Sequence, residues 1–283
     1  MDFKNKNIIV TGGSRGIGFT VARAFLHAGG NVCIVARDKK ETIRAKKELG
    51  KISGAISALT CDVSKDAQVK KITHHIKNVF KGRIDVLVNA AGIYGPKGRL
   101  EDNDMALWEK TFSVNVIGTA YACRAVIPFM KAKKYGRIIT FSGGGEGAFP
   151  FFTAYSASKG AIVRFTESLS AELANDNITV NAVAPGAVNT KLLEEVLEAG
   201  PQKVGAEFYE RSLKQKTDGG ASPEKAAELI LFLASEQAGY LSGKLLSAVY
   251  DKWSGFHHHK KKITSSDIYN FRRIKPKDRG YDW

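Results

Sequence analysis

Cysteine is scarce in this chain, and long apolar runs and recognisable targeting segments are missing. The only cysteines in 283 residues are Cys33, Cys61 and Cys123. They lie far apart in apolar stretches, and an odd count without motif spacing excludes a disulfide framework and a cysteine zinc site. They read as buried free thiols of a protein kept in a reducing cytoplasm. No uninterrupted apolar run reaches the ~20 residues of a bilayer-spanning helix, so no membrane span is expected. The opening MDFKNKNIIVTGG has no extended apolar core and no small-residue cleavage site, which argues against a secretory signal. No repeat and no linker divides the sequence.

Basic charge is abundant. The formal net charge is +15, concentrated in RDKKETIRAKK (37–47) and in the nine Lys and Arg of residues 252–279. Neither segment presents aromatics in an arrangement suited to base stacking, so these charges read as solvated surface and no nucleic-acid partner is expected. Hydrophobic residues make up 43%, enough for a full core.

Short runs of Val, Ile, Leu and Ala alternate with longer helical patterns. Strands are expected at 8–12, 31–37, 55–63, 84–92, 136–143, 178–186 and 244–249. Helices are expected between them, including one long helix over roughly 104–133 and one from the segment AYSASKGAIV to about residue 174. Strands that are apolar throughout suit a parallel sheet covered on both faces. The alternation predicts a doubly wound α/β fold, a Rossmann-type parallel sheet. After Gly186 the pattern loosens. Residues 187–221 are charged, helix-prone and interrupted by glycine, as a closing lid would be. Ser222 and Pro223 mark the cap and first position of another helix. Residues 251–283 form a basic, aromatic extension in which no packed element is evident, although DIYNFRRIKP (267–276) reads as a segment that docks by its aromatics onto its own domain, a neighbouring subunit or the pocket rim.

The first strand runs into TGGSRGIG (11–18) at the start of a helix. Gly12 permits a tight turn, Gly16 allows backbone N–H groups to approach a phosphate, and Gly18 lets the helix pack closely on the sheet. The turn residues Gly12, Ser14, Arg15, Gly16, Ile17 and Gly18 are therefore candidate dinucleotide ligands, with the pyrophosphate at the helix N-terminus. The second strand ends in Ala36-Arg37 rather than in a carboxylate. Arg37 and Arg15 suit a ribose 2′-phosphate, which points to NADPH/NADP+. Asp38, one residue on, leaves NAD as the lesser alternative.

In AYSASKGAIV, Tyr155 and Lys159 stand one helical turn apart on one face. A phenol with an ordinary pKa of about 10 needs help near neutral pH. A nearby ammonium would favour the phenolate and lower that pKa. Ser142, at the end of the fifth strand, can orient and stabilise a reacting oxygen.

TGGSRGIG, CDVS (61–64), VNAAG (88–92), NVIG (115–118), Ser142, YSASK (155–159) and PGAVNT (185–190) occur in one order and spacing. Over residues 5–250 this resembles the short-chain dehydrogenase/reductase family, its core being most similar to 3-oxoacyl carrier-protein reductases. The resemblance implies an oxidoreductase with catalytic Asn115, Ser142, Tyr155 and Lys159. Asn115 would sit at a break in its helix and hold a water, and Lys159 would also hold the nicotinamide ribose. It further implies an adenine pocket at Asp62 and Val63, and a strand end at Asn89, Ala90 and Gly92. The family often has a second Asn where Ala90 stands. Pro185, Gly186, Val188 and Thr190 would hold the carboxamide. A homotetramer or homodimer is implied as well.

The reading that follows is an NADPH-dependent ketone reductase with residues 1–250 as the catalytic domain. Its small-molecule carbonyl substrate could be a 3-oxoacyl thioester, a sugar ketone or another small ketone, anionic or carrier-bound. A non-catalytic NADP-binding sensor is a further alternative, but it would not need the four catalytic side chains. Phe149, Phe151 and Phe152 could wall the substrate pocket or belong to a core. Lys191, Lys203, Arg211, Lys214 and Lys216 could meet an anionic substrate or face solvent. Three adjacent histidines, 257–259, do not converge on one ion, so no metal is expected. The long tail departs from the family pattern and resembles tails of reductases from surface-sugar pathways.

Overall fold

The computed structural model describes residues 1–143 and 147–283, so positions 145 and 146 of GEGAFPFF (145–152), the segment that carries Phe149, Phe151 and Phe152, lie outside the described residues. The chain opens with β1 (Asn7–Thr11), α1 (Gly16–His27), β2 (Asn31–Ala36), α2 (Lys39–Leu49), β3 (Ile56–Thr60), α3 (Asp66–Asn78) and β4 (Val86–Asn89). Among the described residues seven strands, all parallel, are ordered β3-β2-β1-β4-β5-β6-β7, with β5 at Gly136–Phe141, β6 at Ile178–Ala184 and β7 at Leu245–Ser247. The order reverses between β1 and β4, and a parallel sheet binds ligands at the crevice opened by such a reversal.

The inner strands bury both faces because their side chains alternate between two cores, whereas the edge strand β3 is only partly buried throughout. Ile8 and Val10 pack with α1 and α10 (Pro223–Ala234), while Ile9 between them packs with α3 and α5 (Gly118–Lys133). Burying such a side chain stabilises by roughly 1.5–3 kcal/mol, which fixes the strand register. Caps set the helix starts. Asp38 accepts from the Glu41 N–H at 2.8 Å, and Ser222 accepts from the Glu224 N–H at 3.2 Å with Pro223 following it.

The expected single helix over 104–133 is divided. α4 (Met105–Phe112) and α5 flank a π-helical turn at Ser113–Ile117. Its cause is tertiary: the Asn115 side chain bonds to both backbone polar groups of Ile93, so the turn takes an extra residue to aim it there. Met105–Lys133 taken together is long and apolar enough to cross a bilayer by length and composition, with mean hydropathy 1.2. In the fold, α5 packs on β4 and β5 with α3 beside it, and α3 reaches the sheet itself through His75 and Ser57.

α6 spans Thr153–Glu172. Between β6 and α10 the loosened segment folds into α7 (Lys191–Ala199), α8 (Pro201–Val204) and α9 (Ala206–Asp218). Its two ends are tied together by an antiparallel bridge between Val188 and Gly220, with Ala221 N–H donating to Ala187 O at 2.8 Å.

The extension docks on its own domain, one of the three placements expected for residues 267–276, and it also folds into short elements that the sequence does not announce. A 3-10 segment at Trp253–His259 and the short α11 (Lys260–Thr264) place Phe256 and Ile263 in the core beside α10. Beyond them the chain closes the open edge of β7, where Leu245 N–H donates to Tyr269 O at 2.8 Å. The Lys244 ammonium donates to Ser266 O and Ile268 O, both at 2.9 Å, and to Asn270 Oδ1 at 2.7 Å. Asn270 and the Phe271 N–H donate in turn to Glu167 on α6. These anchors are too irregularly spaced to form a readable period. Replacing Phe256 by Ala should cost about 3–5 kcal/mol, the usual range for a large buried aromatic, measured by urea unfolding. A change under about 0.5 kcal/mol, typical of surface positions, would show that the extension is not docked.

Candidate active site

The turn after β1 is shaped by close approach. Gly12 and Gly16 have φ of +68° and +55°, where a side chain would strain the backbone. A Cβ on Gly12 would lie 2.7 Å from Ala90 O, and one on Gly18 would lie 2.4 Å from Gly12 O. The turn is thus pressed against the exit of β4. Arg15 stands at the N-cap of α1 without a side-chain hydrogen bond to the first turn, which leaves those N–H groups for a ligand.

A cleft of about 850 Å³ lies over this turn. Its wall contains Gly12, Ser14, Arg15, Gly16, Ile17, Gly18, Arg37, Asp62, Val63, Ala90, Gly92 and Thr190 from the candidate cofactor set. A second cleft of about 1330 Å³ contains Ser142, Tyr155, Lys159, Pro185, Gly186 and Val188. Both share Ile17, Ala90, Gly92 and Thr190, so one elongated molecule on the glycine turn reaches Tyr155. The open turn, the uncapped helix start and the joined clefts fit a dinucleotide.

Asn89 is the exception. Its side chain is buried outside both clefts, with Nδ2 3.5 Å from Cys123 Sγ and Oδ1 without a partner among the described residues. Both arginines line the first cleft, but one of them already has a partner. Arg15 pairs with Glu41 at 3.1 Å, because Glu41 lines the same wall one turn into α2. Arg37 makes no ion pair among the described residues, and Asp38 is engaged as the α2 cap.

Four catalytic candidates converge from three elements. Asn115 comes from the π turn, Ser142 follows β5, and Tyr155 and Lys159 lie on the first turns of α6. Asn115 Nδ2 donates to Ser158 Oγ at 2.9 Å, and Ser158 donates to Tyr155 O at 2.7 Å. Lys159 Nζ donates to Phe141 O at 2.8 Å and sits 5.5 Å from the centre of the Tyr155 ring. A Cβ on Gly92 would stand 3.4 Å from Asn115 Oδ1 and 3.9 Å from Lys159 Nζ, and one on Gly143 would stand 2.9 Å from Tyr155 Oη. Glycine at both positions keeps this space open.

The electrostatics reverse one expectation. Burial, with a smaller contribution from Tyr94, holds the Tyr155 phenol well above its ordinary value rather than below it. Burial also lowers Lys159 to about 8. Desolvation wins because the ammonium bonds to Phe141 O and not to the phenol.

Sequence reasoning missed Tyr94, whose ring meets that of Tyr155 edge-on at 4.5 Å. Near it, Lys97 pairs with Glu195 of α7 at 3.4 Å. Only the fold brings these residues together. Phe149 and Phe208 line the second cleft, whereas Phe152 is buried behind Phe149 and Phe151 packs on Gly205.

The family profile described as short chain dehydrogenase matches residues 6–200. This chain belongs to the short-chain dehydrogenase/reductase family. Such proteins are oxidoreductases that act on hydroxyl and carbonyl groups with a nicotinamide cofactor. Among similar proteins, a 3β-hydroxysteroid dehydrogenase from Eggerthella lenta is 36% identical over 253 residues, covering 87% of this chain and 92% of the relative. The structure of an actinorhodin polyketide ketoreductase with NADPH is 29% identical, with a TM-score of 0.79 over 87% of this chain and 97% of the other. That of an NAD+-bound xylitol dehydrogenase, 24% identical with a TM-score of 0.79, covers 87% and 98% and shares the fold.

Proposed function

We propose that this protein reduces a ketone to an alcohol with NADPH, using Tyr155 as the proton donor. The observation that carries the reading is the joining of the two clefts at Gly92, with Tyr155, Lys159 and Ser142 on the wall just beyond it. Bound NADPH supplies the hydride. Tyr155 supplies the proton to the carbonyl oxygen, and its raised pKa keeps it protonated until the oxygen becomes basic. The Lys159 ammonium then stabilises the phenolate left behind, and Ser142 steadies the developing oxyanion. Asn115 positions α6 through Ser158.

The preference for NADPH rests on Arg37. It is exposed at the end of β2 in the cleft wall, while the neighbouring carboxylate of Asp38 caps α2. Arg15 would exchange Glu41 for the 2′-phosphate, since an exposed pair of this kind is worth at most about 1 kcal/mol. Residues 187–221 act as the lid, a cytoplasmic homo-oligomer is the working assembly, and the 3-oxoacyl resemblance makes acyl thioesters one substrate class to test.

A screen of ketones with NADPH and NADH, followed by nicotinamide absorbance, tests the reading. Arg37→Asp should move the ratio of kcat/KM for the two cofactors toward NADH by about 10–100-fold, the worth of one charge-assisted contact of ~1.5–3 kcal/mol. An unmoved ratio would count against the 2′-phosphate assignment. The kcat/KM for ketone reduction should be level at neutral pH and fall as pH rises through about 8, where Lys159 loses its charge. The sign for stability is opposite. The folded value lies below the unfolded one, so the unfolded chain binds more protons above pH 8 and stability from this group rises there. A rate profile without this decline would contradict the role given to the ammonium.

A further inference from the structure

We infer that the substrate is a flat, ring-bearing ketone carrying an anionic group on the side away from its carbonyl. This rests on the reductase reading and narrows it. Three half-buried rings from three segments face the cleft beside Tyr155. Tyr94 follows β4, Phe149 precedes α6, and Phe208 lies on α9. Tyr94 and Phe149 meet the Tyr155 ring edge-on, with centroids 4.5 and 6.4 Å away. Phe208 meets Phe149 edge-on at 5.0 Å, and Phe149 is held flat against the buried Phe152 at 4.4 Å. Such walls offer ring faces and edges and few hydrogen-bonding groups. A flat ring gains from them beyond simple burial, whereas a polyol would leave its hydroxyls unpaired.

The charge lies further along the same wall. α9 turns Phe208, Arg211, Ser212 and Gln215 into the cleft at helical spacing. The Arg211 guanidinium is 5.9 Å from the Phe208 ring centre. Arg211, Lys214 and Lys225 line this end, and Asp218 is the only acidic side chain of the wall among the described residues. Arg211 is held only weakly at home, by Glu207 at 3.8 Å with both side chains exposed. A ring in the aromatic part therefore places a carboxylate or phosphate substituent beside a cation that is able to turn toward it.

The test compares kcat/KM for four probes with NADPH: 4-acetylbenzoate, acetophenone, xylulose and acetoacetyl-CoA. We expect 4-acetylbenzoate to exceed xylulose and acetoacetyl-CoA by at least about tenfold. Phe208→Ala should erase the advantage of the ring ketones, and Arg211→Gln should collapse the ratio of 4-acetylbenzoate to acetophenone. NADPH affinity measured by fluorescence in parallel verifies that each variant is folded. Reduction of xylulose or acetoacetyl-CoA in preference to both ring ketones would overturn the inference and leave the reductase reading standing. An equal loss on both ring ketones in Arg211→Gln would remove the anionic group from the inference. If the NADPH-loaded protein reduces none of the four, the reductase reading falls with it.

Discussion

The buried ammonium of Lys159 is the constraint on which the site depends. It enters the interior because the Phe141 carbonyl, at the end of β5, receives it at 2.8 Å. An isolated charge there would be expensive, and even paired it titrates near 8. That bond ties the first turns of α6 to the sheet and so fixes Tyr155, four residues earlier. Asn115 fixes the same turns from the other side through Ser158, and the π turn that carries Asn115 exists to reach Ile93. The glycine turn completes the arrangement by pressing on Ala90, so that the dinucleotide cleft opens beside Lys159.

The rest of the chain supports or encloses this centre. The extension grips α6 near its far end through Glu167 and covers the edge of β7, a strand edge that would otherwise be open to pairing. The α7–α9 segment hangs from a base closed by Val188 and Gly220 and brings Phe208 and Arg211 over the substrate side. One end of α6 therefore does chemistry while the other anchors a tail, and a single helix links the two.

The sequence alone revealed the parts that obey local rules. Continuous apolar runs marked all seven strands to within a few residues, since a strand covered on both faces has no polar side to blur it. The glycines at 12, 16 and 18 and the Tyr155–Lys159 spacing were legible because the turn and the helix each demand those residue types. What was not legible depends on distant partners. The helix break at Asn115 was implied by the family resemblance alone; nothing local announces a π turn there, because its cause is the backbone of Ile93. Tyr94 carries no motif and matters only where it meets Tyr155. The pairing of Arg15 with Glu41 and the inward turn of Asn89 each need a neighbour outside their own motifs. The direction of the Tyr155 shift was misjudged for a related reason: helical spacing shows the ammonium nearby but not the desolvation that outweighs it.

The most direct measurement of the central claim is single-turnover ketone reduction by Tyr155→Phe, with NADPH binding followed in the same samples. The account predicts a loss of about 10²–10⁴-fold in the reduction rate, the usual contribution of a positioned proton donor, with NADPH affinity retained. Reduction at the rate of the unaltered protein, with the cofactor bound as tightly, would contradict it.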